Sequence, residues 1–118
     1  MQPKQIAHLA WEAADAKQAV DPILLDISKL TTVAHYFLIS HGNSDRHARA
    51  IAQNIVEELD KKKVRLWHSE GMSEGRWVLL DFGSLIVHVF HRELREFYGL
   101  ERLWGNAACV KIGASPKA

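Results

Sequence analysis

The passage from Tyr36 to Leu59 constrains the fold more than any other part of the chain. Tyr36-Phe37-Leu38-Ile39-Ser40 is apolar, aromatic and β-branched, which suits a buried strand. Gly42-Asn43-Ser44 breaks it. Ala48, Ile51, Ala52, Ile55 and Leu59 then recur at offsets of three and four, laying one apolar stripe along a helix. Ser44 or Asn43 can cap that helix, and Asp45 suits the positive end of its dipole. A strand that runs into an amphipathic helix needs a sheet to join and a sheet face to cover. The chain is thereby directed to an α/β layer.

The flanking segments extend the pattern. Ile6, Leu9, Ala10, Ala13, Lys17 and Val20 have helical spacing, and Asp21-Pro22 is expected to end that helix. Ile23 to Ile27 reads as a buried strand and Ser28 to Val33 as a connector with room for one helical turn. Val64 to His68, Arg76 to Asp81 and Leu85 to Phe90 read as third, fourth and fifth strands. Phe82-Gly83-Ser84 makes a tight hairpin between the last two. Glu93 to Trp104 is expected to be helical with an interruption at Gly99. The expected architecture is one α/β domain over residues 1–106, a mixed sheet of about five strands flanked by helices. Residues 107–118 are expected to be a mobile tail.

With 118 residues, 47% of them apolar, the chain can fill one core but not two. It has no run long enough to span a membrane, and its first residues lack the apolar centre of a secretory signal. Cys109 stands alone, so no internal disulfide is available, and a cytoplasmic setting is expected. The formal net charge is only +1. A dedicated nucleic-acid binder usually gathers a basic excess on one face. The single basic run, Lys61-Lys62-Lys63-Val64-Arg65, fits the solvated C-terminal end of a helix.

Catalytic patterns are sparse. His41-Gly42-Asn43-Ser44-Asp45 could cradle a phosphate at a helix start, but it has no Gly-x-Gly-x-x-Gly and no Walker lysine, and a capped turn explains it as well. Metal-assisted nucleotidyl transfer needs paired strand carboxylates; Asp26 and Asp81 each stand isolated. His88 and His91 would point to opposite strand faces, and the seven histidines form no zinc spacing. No metal, no cofactor and no catalytic residue is expected.

The aromatic residues are more informative. Trp77, Leu79 and Asp81 alternate with Val78, Leu80 and Phe82, so both faces of one strand carry large apolar groups. One face is therefore expected to need a cover, from a helix of this chain, a second copy or a partner. If a partner covers it, removing Trp77 is expected to weaken binding without upsetting the fold; if the variant unfolds, Trp77 is core. Phe97 and Leu103 suit the core; Tyr98 and Trp104 suit an interface as well.

Ala34 to His47 resembles the Iojap family, the bacterial ribosomal silencing factors. Ala50-Ile51-Ala52, Glu70-Gly71, Gly75 to Gly83, Val87 to Phe90 and Arg95 to Trp104 continue the resemblance in order. It spans about Ala7 to Trp104. Three positions depart from the family pattern: His35 where Asp is usual, His41 where a small residue such as Thr is usual, and Gly99 where an acidic residue is common. The resemblance implies a nucleotidyltransferase-like fold without the catalytic carboxylates. It also implies binding to ribosomal protein fourteen of the large subunit, a block on joining of the small subunit, and dimers when free. The expected function is translational repression by a protein that is not an enzyme. The expected partner face is Trp77, Leu79, Asp81, Tyr98, Glu101 and Trp104, with no sequence-specific nucleic-acid contact and no membrane. The alternatives are an assembly factor for the large subunit, or a nucleotide-binding or nucleotidyl-transferring enzyme.

Overall fold

The structure, a computed structural model, describes residues 2–30, 32–94 and 108–110. The elements run in the order α1 (Pro3–Ala16), β1 (Val20–Asp26), β2 (Tyr36–Gly42), α2 (Asp45–Lys61), β3 (His68–Glu70), β4 (Trp77–Asp81), β5 (Leu85–His91) and β6 (Ala108–Val110). The strands form one sheet in the order β3-β4-β5-β2-β1-β6. Within it β2 and β5 run parallel, and the other neighbours are antiparallel. The mixed sheet expected from the sequence is present.

Both helices cover one sheet face. The expected stripe of α2 is buried residue for residue: Ala48, Ile51, Ala52, Ile55 and Leu59. It packs with Ile6, Ala7, Ala10, Ala13 and Ala14 of α1 and with Leu38, Val78, Leu80, Leu85, Val87 and Val89 from the sheet. Alanines on α1 bring the two helices close, because they place no bulk between the backbones. The opposite sheet face holds a second cluster: Leu25, Ile27, Ala34, Phe37, Ile39, Ile86 and Phe90, with Trp77, Leu79 and Leu94 at its margin.

Three boundaries differ from expectation. The first helix ends at Ala16, not at Asp21-Pro22, because Gln18 turns left-handed at φ 59°. His47 Nε2 lies 2.8 Å from the Lys17 carbonyl, across thirty residues of sequence, and so holds the end of α1 against the start of α2. Val20 therefore belongs to β1. Pro22 sits there at a register shift between Val20 and Ile23, a tolerable site for a residue without an amide. The third strand begins at His68 rather than Val64. Lys63 takes φ 65°, and Val64 and Leu66 pack sideways against the main core. The ladder to β4 opens only where the Trp67 amide donates to the Asp81 carbonyl at 2.8 Å. The third difference is β6. Residues 108–110, expected in a mobile tail from 107 to 118, instead extend the sheet by pairing antiparallel with Leu24, Leu25 and Asp26. Of the expected helix from Glu93 to Trp104 only residues 93 and 94 are described, and both are helical.

Candidate functional site

The alternation on β4 is as expected. Val78 and Leu80 are buried towards the helices, while Trp77, Leu79 and Asp81 are half-buried on the other face. The register sets Trp77 opposite Phe90, Leu79 opposite His88 and Asp81 opposite Ile86. The Trp77 indole stacks on Phe90, ring centres 5.2 Å apart and planes 27° from parallel. Its Nε1–H donates to Nδ1 of His88 at 3.1 Å. His88 in turn meets Phe37 edge to face at 5.0 Å. Because Nδ1 accepts this bond, the neutral ring carries its proton on Nε2.

On this geometry much of the face is covered within the chain, one of the covers the sequence leaves open. Ile27, Ile39 and Phe90 on that face are fully buried within the chain, and Trp77 is built into the cluster. What the face offers outward is the margin formed by Trp77 and Leu79. Asp81 is engaged locally: its Oδ1 accepts the Gly83 amide at 2.8 Å and shapes the hairpin turn. Tyr98, Glu101 and Trp104, together with Phe97 and Leu103, lie outside the described residues.

His88 is the strongest electrostatic anomaly of the site. Burial lowers its pKa from 6.5 to about 4. In the unfolded chain the ring titrates near its ordinary value, so between about pH 4 and 6.5 the unfolded state binds more protons than the folded one. Stability therefore rises with pH across that window and is lost as pH falls through it; above the window this group adds no slope. The share of His88 is expected to reach roughly 3 kcal/mol. Thermal melts of the wild-type chain and of His88→Gln over this range will check it. The amide can still accept from Trp77, so the variant is expected to keep the fold and shed that part of the slope. Equal slopes would assign the pH dependence to other groups.

The enzyme-like features resolve into structural ones. Ser44 caps α2, its hydroxyl accepting the His47 amide at 3.0 Å and its carbonyl accepting Ala48 N–H at 2.9 Å. The Asn43 amide donates to His47 Nδ1 at 2.9 Å. The Asn43 and His47 amides of this turn are thus taken by the chain itself, and Asp45 adds a negative charge at the same place. Gly42 is needed for packing: a Cβ there would sit 2.6 Å from the Ala48 amide nitrogen. The Asp26 carboxylate accepts both the amide and hydroxyl of Ser28, and these bonds hold its pKa below the usual value. Asp26 and Asp81 end strands three places apart in the sheet, about 14 Å by the usual strand spacing. They cannot share a metal ion. Among the described residues no group of three or more His, Cys, Asp or Glu could hold one.

Two features are not apparent from the sequence. Gly71 and Gly75 have φ of 79° and 72°, and the loop between them docks on α2 through Arg49 Nη1, which donates to the Glu74 carbonyl at 3.2 Å. The isolated glycines are the available signal. Trp67, expected within a strand, is 74% exposed. Its neighbours Val64 and Leu66, both apolar and both turned inward, are the signal for a side chain turned out.

Residues 1–117 match the family described as ribosomal silencing factor during starvation. The chain is 46% identical over 112 residues to the ribosomal silencing factor RsfS of Bacillus subtilis, covering 95% of each. It is 32% identical over 91 residues to a mouse protein named for mitochondrial assembly of the ribosomal large subunit, covering 75% of this chain and 40% of that one. A crystal structure of a protein from Chromobacterium violaceum superposes with a TM-score of 0.87 at 34% identity, covering 100% of both chains.

Proposed function

The chain belongs to the ribosomal silencing factor family, and from that premise we propose that it represses translation by docking on the large ribosomal subunit and keeping the small subunit from joining. The docking point is ribosomal protein fourteen, on the face that meets the small subunit. The mechanism is steric: a folded domain occupies a surface that the small subunit needs. Such a mechanism calls for no catalytic group, metal or cofactor, and the protein is not an enzyme. It acts in the cytoplasm; no helix among the described residues is long and apolar enough to cross a membrane. When no ribosome is at hand, a second copy pairs with the same face.

The observation that carries the docking site is the fixed indole of Trp77. Stacked on Phe90 and bonded to His88, it presents its outer edge beside Leu79 without having to be ordered on binding. Such pre-positioned aromatic anchors spare the entropy that a mobile side chain would lose. Tyr98 and Trp104 complete the apolar area, and Asp81 and Glu101 orient it towards the basic groups of a protein that lies against RNA.

Assembly of the large subunit is a second reading, favoured by the name of the mouse relative. Both readings place the chain on the same subunit, and they differ in its effect on subunit joining. The purified chain is expected to co-sediment with separated large subunits and not with small ones. Equal binding to both would overturn the proposal. Added before the subunits are mixed, the chain is expected to lower the fraction that joins. If it rides on large subunits and joining is undiminished, assembly takes the place of silencing.

A further inference from the structure

The segment that leaves α2 gathers exposed cations and an open aromatic ring. Only Lys61 of the basic run belongs to the helix, and it is bound to Glu58 at 2.7 Å. Lys62 is the C-cap and Lys63 follows it at φ 65°, both at the negative end of the helix as expected, whereas Arg65 lies beyond the reach of the dipole. Lys62, Lys63 and Arg65 are exposed, and among the described residues none has a carboxylate within ion-pair distance. Of the nearby acids, Glu58 is taken by Lys61, Glu57 accepts from Gln53 and Glu70 meets His68; Asp60 is exposed beside them.

Beyond Lys63, residues 64–67 lead into β3 outside any helix or strand. Val64 and Leu66 turn inward to the core, which leaves Arg65 and Trp67 turned outward. Even fully extended, residues 62 to 67 would span at most about 17 Å, and the turn at Lys62 and Lys63 keeps them closer than that. Trp67 is 74% exposed, the most of any large apolar side chain described, yet it is not loose. Its amide is bonded to the Asp81 carbonyl, and its ring lies over Gly83, where a Cβ would stand only 2.8 Å from Cζ2. A flat ring braced from beneath by a glycine turn, with three exposed cations among the five residues before it, matches a ligand that offers flat rings and negative charges in alternation.

We propose that residues 62–67 bind an unpaired polynucleotide strand, with a base stacked on Trp67 and backbone phosphates held by Lys62, Lys63 and Arg65. Single-strand binders combine these two elements, and the stacking tolerates any base. A single exposed tryptophan is too little apolar area for a lipid surface, and an acidic peptide would answer the cations but not the braced ring. The site meets the proposed docking face at Asp81, whose carbonyl accepts the Trp67 amide, but it does not rest on the large-subunit reading.

The test is a titration of labelled oligouridine with the full chain, monitored by fluorescence anisotropy. Binding is expected to saturate, and log K is expected to fall with log salt at a slope of about −2, from three cations acting on a single strand. Oligothymidine should bind alike and a duplex of equal length much more weakly. Trp67→Ala is expected to weaken binding roughly tenfold, with Trp67→Phe between the two. Replacing Lys62, Lys63 and Arg65 together by alanine should flatten the salt dependence. These side chains are exposed, so the variants should melt within a few degrees of the wild type. Absence of saturable binding, unchanged binding by Trp67→Ala, or equal affinity for the duplex would each overturn the proposal. The assay contains no ribosome, so failure here leaves the co-sedimentation result standing.

Discussion

Gly71→Ala is expected to cost about 4 kcal/mol and to loosen the start of the strand that carries Trp77. The residue has φ 79°, where a side chain alone costs about 1–2 kcal/mol. A Cβ at that position would also lie 2.0 Å from the Trp77 carbonyl oxygen and 3.0 Å from its carbon. Neither atom belongs to a flexible side chain, so the backbone of β4 must move. The Gly71 carbonyl accepts the Gly75 amide at 2.9 Å, and a Cβ on Gly75 would meet the Asp45 carbonyl at 2.4 Å. The loop 71–75 is therefore wedged between the start of β4 and the first turn of α2, with no room on either side. Small domains are stable by about 5–15 kcal/mol, so the loss is large but leaves a folded population. Urea unfolding of the variant, with near-ultraviolet circular dichroism to monitor the tryptophans, measures it. Glu74→Ala in the same loop, exposed, should shift stability by no more than about 0.5 kcal/mol. A loss below about 1 kcal/mol for Gly71→Ala would mean that the loop can move aside.

Much of the architecture is legible in the sequence because it is local. The stripe of α2, its Ser44 cap, the alternation of β4 and the Gly83 turn all declare themselves within a few residues, where periodicity and turn chemistry operate. What is not legible depends on residues far apart. Nothing near Lys17 shows that its carbonyl will be met by His47, so periodicity alone sets the end of α1 too late. Ala108-Cys109-Val110 is too short to read as a strand, and it becomes one only because β1 offers an open edge. The same holds at the candidate site. Trp77 and Leu79 can be assigned to one strand face from their spacing. That Trp77 is paired with Phe90 and bonded to His88 depends on the β4–β5 register, which fixes those partners through a hairpin. Spacing alone makes Trp77 a residue of the interface, whereas the register makes it a residue of the core margin as well.

This double position changes what Trp77→Ala should do. An indole standing on an uncovered face would be lost at little expense to stability. Here its removal deletes the stack on Phe90 and leaves His88 Nδ1 without its donor in a buried setting. The two effects together are expected to destabilise the chain by about 4 kcal/mol. Trp77→Phe keeps most of the ring and loses only the hydrogen bond, so a drop of about 1–2 kcal/mol is expected. Thermal and urea unfolding separate the two variants. Binding to large subunits must then be measured at a temperature where circular dichroism shows each variant folded. Under the docking proposal, folded Trp77→Ala should bind more weakly by about 2 kcal/mol or more, roughly thirtyfold, because a central tryptophan usually dominates its surroundings. A variant that is destabilised as stated but binds large subunits like the wild type would confine Trp77 to the core. The docking face would then have to be sought around Tyr98 and Trp104, with Leu79 left as the described residue of the proposed face that points outward.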